Sequence, residues 1–79
     1  MNSLDVLVDV FSQALGIDRR SVNETLEYNA IPEWDSVSHM VLIAAIDSKF
    51  GIMLETDDVI DLSSFSKAIA ILTKYGIVF

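Results

Sequence analysis

The segment from residue 36 to residue 50 carries apolar residues on two opposite sides of a predicted helix, and this limits the possible folds more than any other feature. At 100° per residue, one side carries Leu42, Ile43, Ile46 and Phe50, and the other carries Val37, Met40, Val41 and Ala44. A chain of 79 residues is too small to enclose a whole helix easily. We therefore expect the first side to face the core and the second to be kept for a partner protein. The alternative is that the preceding loop, or a second copy of the chain, covers the second side.

Further helices are predicted before and after this segment. The first is an amphipathic helix that ends at Gly16 and carries Leu4, Leu7, Val8, Phe11 and Leu15 at helical spacing. After Gly51, Thr56 is expected to cap a short acidic turn, and Ser63 or Ser64 to cap a closing helix. The expected fold class is all-α: a small bundle of three main helices plus one short helix, in a single domain spanning residues 1–79.

The segment from Gly16 to Asp35 is expected to form a long ordered loop between the first and second helices. It has no long periodic run of apolar residues, and Pro32 biases the residue before it away from helix. Ser21 and Glu24 have capping-box spacing, which predicts that Ser21 starts a single helical turn. The residues expected to anchor the loop to the core are Val22, Leu26, Ile31 and Trp34. A connection this long in a small domain is usually functional.

Composition excludes several classes of function. Twelve acidic residues against five basic ones give a formal net charge of −7, so neither nucleic acid nor membrane is an expected partner, whereas proteins with basic patches are favoured. The chain has no cysteine, so any thiol chemistry must come with a cofactor. The longest apolar run, residues 40–46, is too short to span a bilayer, and the acidic start lacks the basic segment of a signal peptide. We expect a cytoplasmic protein, and a monomer.

Ser36 stands at the predicted start of the second helix, directly after Trp34 and Asp35. The simplest interpretation is that Ser36 is a helix N-cap, as many serines at such positions are. The functional interpretation is that its hydroxyl is a site of covalent modification. Free N–H groups and the helix dipole favour an attached phosphate there by about 0.3–1 kcal/mol. These residues alone leave both interpretations open.

With Asp35-Ser36-Val37 at this place, the chain resembles the acyl carrier protein family, whose signature is Asp-Ser-Leu at the start of the second helix. The resemblance covers nearly the whole chain, because Leu15-Gly16-Ile17-Asp18, the long loop, Phe50-Gly51-Ile52, the acidic turn and the closing helix follow the family's order. Two features depart from the family pattern: Val37 replaces the usual leucine, and the second helix is unusually neutral. The departures suggest dedicated partners with more apolar docking than the central fatty-acid enzymes.

The resemblance implies a non-enzymatic carrier. A phosphopantetheinyl transferase would attach 4′-phosphopantetheine from coenzyme A to Ser36, with Asp35 beside the magnesium ion of the transferase. The thiol of that arm would then hold an acyl or related group as a thioester for acyl-loading and acyl-transfer enzymes. The residues expected to meet partners are Val37, Met40, Val41, Ala44, Asp47, Asp57 and Asp58. The cargo stays open among fatty acyl, polyketide, amino acid and polysaccharide-destined groups, because partner enzymes choose it.

The residues predict no enzymatic or metal site of the chain's own. His39 follows Ser36 by three residues and shares its side of the helix, but no third orienting group accompanies them, so His39 is expected at the surface or its boundary. The acidic residues 55–61 lack the glycine and terminal glutamate of an EF-hand loop. The competing class is a small helical interaction module that binds partners through the same apolar face and carries no prosthetic group.

Overall fold

The computed structural model describes residues 2–79, and this part of the chain forms four α-helices and no strand. The helices are α1 (Ser3–Leu15), α2 (Ser36–Phe50), α3 (Thr56–Asp61) and α4 (Phe65–Lys74), with a 3₁₀ turn at Arg19–Ser21. The predicted all-α fold class, with three main helices and one short one, is confirmed. None of the helices in residues 2–79 has the length and apolar character needed to cross a membrane.

The ends of α1 and α2 follow local sequence signals. The Asn2 side chain accepts a 2.9 Å hydrogen bond from the backbone N–H of Asp5 and so caps α1. Gly16 and Gly51 end α1 and α2 with φ of 67° and 65°, in the left-handed region that glycine adopts without steric cost. The predicted ends of both helices are therefore confirmed.

Two of the predicted helix caps are wrong, Ser21 by three residues and Thr56 by one, and one is confirmed. Asp18 caps the 3₁₀ turn by accepting from the Arg20 N–H, so Ser21 ends this turn instead of starting it. Thr56 is the first residue of α3, and Glu55 before it provides no side-chain cap. At α4, the Ser64 hydroxyl accepts from the backbone N–H of Lys67 at 2.9 Å, which confirms one of the two caps predicted there.

The core is built around three aromatic residues from different parts of the chain. Phe11 of α1 lies between Trp34 of the loop and Phe65 of α4, with ring centroids at 5.5 Å and 5.1 Å and edge-to-face geometry in both pairs. Trp34 and Phe11 are completely buried. The loop is therefore fixed to the core at the residue that precedes Asp35 and Ser36.

The long loop, residues 16–35, packs against the helices at several points along its length. Val22, Leu26 and Trp34 are buried, as predicted, and Ile31 packs against the core from a partly exposed position. Two backbone hydrogen bonds join the loop to the α3–α4 connection and to the first residue of α4, from the Tyr28 N–H to the Ser63 carbonyl (2.8 Å) and from the Phe65 N–H to the Leu26 carbonyl (3.0 Å). The loop thus reaches across the bundle and packs beside the segment that follows α3.

The two sides of α2 have the different environments that its periodicity predicts. Leu42, Ile43 and Ile46 are buried in the core. On the other side Val37, Met40 and Val41 are 73%, 59% and 51% exposed. The long loop therefore does not cover the second side, which leaves an apolar face of α2 open on the described chain.

Candidate functional site

Ser36 is the first residue of α2, and its neighbour Asp35 performs the capping. The Asp35 carboxylate accepts a 2.9 Å hydrogen bond from the Ser38 N–H, and this bond lowers the pKa of Asp35 below its ordinary value. Ser36 is exposed, and within residues 2–79 its hydroxyl has no hydrogen bond to a protein side chain or backbone group. The N-cap interpretation of Ser36 is therefore wrong, because Asp35 occupies that position.

Ser36 opens onto a groove of about 350 Å³ with a predominantly apolar lining. The groove lies between the long loop, the start of α2 and the second half of α3. Its lining residues are Tyr28, Ser36, His39, Met40, Val59 and Ile60, with Leu62 and Ser63 at the α3–α4 connection. A group attached to the Ser36 hydroxyl would therefore start at the edge of a preformed apolar depression.

His39 is half-buried in this groove and both of its ring nitrogens have partners. The indole N–H of Trp34 donates to Nδ1 at 3.0 Å, and Nε2 lies 2.8 Å from the Val59 carbonyl oxygen. The imidazole lies at 22° to the Trp34 ring plane, with centroids 6.0 Å apart, and meets the Tyr28 ring edge-on at 5.5 Å. The sequence predicted His39 at the surface or its boundary, and its half-buried position agrees with the second of these, but the sequence gave no indication of these two links.

The opposite side of α3 is held by a buried carboxylate. Asp58 accepts hydrogen bonds from Lys74 Nζ at 2.7 Å and from the Tyr75 hydroxyl at 2.6 Å, and both bonds lower the pKa of Asp58, Lys74 having the larger effect. The same hydroxyl oxygen accepts from the Glu55 N–H at 2.9 Å. The Asp58 carboxylate raises the pKa of both Lys74 and Tyr75. Asp58 is only 7% exposed, which differs from the expectation that it faces partners.

The other residues expected to contact partners fall into two groups. Val37, Met40, Val41 and Ala44 are exposed along one side of α2, which we call the apolar face. Asp57 is exposed at the start of α3. Asp47 is half-buried, and its side chain accepts from the Leu54 N–H at 3.1 Å, so it holds the α2–α3 connection. The structure thus brings Ser36, Met40 and the rest of the apolar face together and assigns Asp47 and Asp58 to internal contacts.

Comparisons with protein-family models, with curated protein sequences and with solved structures find no match for this chain. Among residues 2–79, no group of three or more His, Asp or Glu side chains is arranged to hold a metal ion. The candidate site is therefore defined by its geometry: an exposed, uncapped serine hydroxyl at a helix start, beside an apolar groove and an apolar face.

Proposed function

We propose that this protein is a carrier whose Ser36 hydroxyl is esterified with 4′-phosphopantetheine by a phosphopantetheinyl transferase. The thiol of the bound arm holds an acyl or related group as a thioester for acyl-loading and acyl-transfer enzymes. The observation that carries the proposal is that the start of α2 is capped by Asp35 and not by Ser36. The Ser36 hydroxyl is therefore exposed and makes no hydrogen bond within residues 2–79.

The surroundings of Ser36 suit an attached phosphodiester and its arm. The first N–H groups of a 15-residue helix point toward this end, where the helix dipole favours a negative group. Beside it, the apolar groove offers contact to the arm or its cargo, and a tethered group has a high effective concentration at a neighbouring surface. The apolar face would supply a docking surface for the enzymes that load and unload the carrier. By the resemblance to acyl carrier proteins, Asp35 would lie beside the transferase's magnesium ion.

His39 supports a carrier role for Ser36 rather than a nucleophilic one. A catalytic serine needs a base within hydrogen-bond reach of its hydroxyl. Both ring nitrogens of His39 are already engaged, one by the Trp34 indole and the other by the Val59 carbonyl. The one histidine of the chain therefore serves the structure of the site instead of activating Ser36.

Intact-mass spectrometry tests the proposal. The protein is incubated with coenzyme A and a promiscuous phosphopantetheinyl transferase, and we expect one phosphopantetheine to be added. Ser36→Ala should abolish the addition, whereas Ser66→Ala should not, although Ser66 is also an exposed serine in the first turn of a helix. An unchanged wild-type mass with several transferases would contradict the proposal.

The apolar face also favours a second candidate, an interaction module that carries no prosthetic group. Three large apolar side chains, Val37, Met40 and Val41, are more than half exposed on one helix, which is typical of a protein-binding surface. This candidate predicts that Ser36 stays unmodified and that partners bind equally to wild type and Ser36→Ala. The mass measurement therefore separates the two functions.

A further inference from the structure

α3 is too short to be a stable helix without contacts to the rest of the chain. It has six residues, and isolated helices of this length are unstable in water. Its last carbonyls have no partner within the helix. The Ser63 N–H, which would continue the helical pattern to Val59, instead donates to the Asp61 carbonyl at 2.7 Å. The Val59 carbonyl therefore depends on a partner from elsewhere in the chain.

His39 of α2 provides that partner. Its Nε2 lies 2.8 Å from the Val59 carbonyl oxygen, twenty positions away in the sequence. On the far side of α3, Asp58 is held by Lys74 and Tyr75 at the end of α4. α3 is thus attached by side chains on two sides, and only the His39 link belongs to the helix that carries Ser36.

The hydrogen-bond partners determine which tautomer His39 adopts. An indole N–H only donates, so Nδ1 must be the unprotonated acceptor, and a carbonyl only accepts, so Nε2 must carry the proton. The ring is therefore the neutral Nε2–H form. In this form it joins Trp34, which is fixed in the core, to Val59, which lines the groove.

We propose that His39 is a positioning residue that holds the α3 wall of the Ser36 groove, by linking the buried Trp34 indole to the Val59 carbonyl. Without this link, α3 keeps its Asp58 attachment to α4 but loses its own hydrogen bond to α2, so Val59 and Ile60 move away from Ser36 and Met40. With the wall displaced, the groove would hold the arm or its cargo less closely. This consequence for a carried group rests on the proposed function.

Two matched variants test the link in the unmodified protein. His39→Gln keeps an amide N–H that reaches the Val59 carbonyl, whereas the shorter side chain of His39→Asn can accept from Trp34 but does not reach Val59. We expect amide hydrogen exchange of residues 59–62 to be about 3- to 10-fold faster in His39→Asn, the factor for one lost hydrogen bond, and within about 2-fold of wild type in His39→Gln. Exchange in α1 should be the same in all three proteins.

A spectroscopic measurement tests the geometry without any substitution. Nitrogen-15 spectra of the histidine ring should show an unprotonated Nδ1 and a protonated Nε2 for His39. The opposite tautomer would overturn the proposal, and so would equal exchange rates for residues 59–62 in wild type and His39→Asn. Equal acceleration in His39→Gln and His39→Asn would also overturn it, because the restored donor would then have no effect.

The loaded protein tests the consequence for cargo. Wild type, His39→Gln and His39→Asn are loaded from octanoyl-coenzyme A by a promiscuous phosphopantetheinyl transferase. The rate at which hydroxylamine cleaves the octanoyl thioester is then measured for each protein. We expect faster cleavage in His39→Asn than in wild type and His39→Gln, and equal rates would overturn the role of the groove wall in shielding cargo. If wild type fails to load, the carrier function fails, and the exchange and tautomer results still decide the His39 link. If loading succeeds and exchange is unchanged, the His39 proposal fails and the carrier function stands.

Discussion

The Tyr75 hydroxyl donates a 2.6 Å hydrogen bond to the Asp58 carboxylate and so attaches the end of α4 to the short helix α3. Because Lys74 and Tyr75 lower the pKa of Asp58 in the folded protein, folding favours the ionised carboxylate. Its contribution to stability is complete above the unfolded pKa, about 3.9, and is lost as the pH falls through the lower folded value.

We therefore expect Asp58→Asn to lower the melting temperature at neutral pH and to converge with wild type in acid. Melts followed by circular dichroism from about pH 7 to about pH 2.5 measure this difference. Asp57→Asn is the matched control, because Asp57 is exposed on the same helix. A difference between Asp58→Asn and wild type that stays constant to the lowest pH would contradict the assignment, as would an equal effect of Asp57→Asn.

The capping arrangement at the start of α2 predicts different effects for two adjacent substitutions. Asp35→Ala removes the side chain that accepts from the Ser38 N–H and should lower the melting temperature, whereas Asp35→Asn should retain most of the stability because asparagine is also a good cap. Ser36→Ala removes no cap and should melt within about 4 °C of wild type. If Ser36→Ala destabilises the fold as much as Asp35→Ala does, the serine contributes to capping after all.

A carboxylate introduced on the core side of α2 should destabilise the fold, whereas one introduced on the apolar face should leave the stability nearly unchanged. Ile46 is completely buried, so Ile46→Glu places an unpaired charge in the core and should cost several kcal/mol of a total stability of about 5–10 kcal/mol. We expect cooperative melting to be lost. Met40 is 59% exposed, so Met40→Glu should melt within about 4 °C of wild type.

Met40→Glu should instead impair loading of Ser36, because it places a charge on the apolar face beside the groove. We expect kcat/KM for phosphopantetheine transfer to fall about 5- to 30-fold, as for loss of an apolar interface anchor. Met53→Glu is the matched control, since Met53 is 83% exposed and lies outside the groove lining. Unfolding of Met40→Glu would show that Met40 belongs to the core, and normal loading would remove Met40 from the docking surface.

The excess of negative charge predicts a salt-dependent stability. A formal net charge of −7 on a small domain opposes compaction, and salt screens this repulsion as the Debye length falls from about 10 Å at 0.1 M to about 3 Å at 1 M. We expect the melting temperature to rise by a few degrees over this range in sodium chloride. Magnesium chloride at matched ionic strength should give a similar rise if screening is responsible. A melting temperature independent of salt would contradict the prediction.

The helices were predictable from local sequence, and the links around α3 were not. The core side of α2, the ends of α1 and α2 at Gly16 and Gly51, and the burial of Trp34 all follow from helical spacing, backbone preference and hydrophobicity. These are properties of residues close together in the chain. They fixed the position of Ser36 at the start of α2, and with it the centre of the candidate site.

His39 and Asp58 show what local patterns do not contain. His39 meets a backbone carbonyl twenty positions away, and Asp58 meets Lys74 and Tyr75 sixteen and seventeen positions away. Nothing in the periodicity of α2 or α3 encodes such pairs, since they depend on how the helices pack. Asp58 therefore looked like one more surface carboxylate in an acidic run. The available signal for His39 was a polar residue one helical turn after Ser36 and five positions after Trp34, which was expected to be in the core.

The complete burial of Trp34, two positions before Ser36, sets the mechanics of anything attached to that serine. On the proposed function, the attachment point would lie two residues from a side chain anchored in the core, and the reach of the cargo would come from the appended arm. The start of α2 would set where the arm begins and the direction in which it leaves the domain. The length of the arm would set how far the cargo can reach from Ser36. Substitutions on the outer surface of the domain would then change which enzymes dock near Ser36, without changing the distance that the cargo can reach.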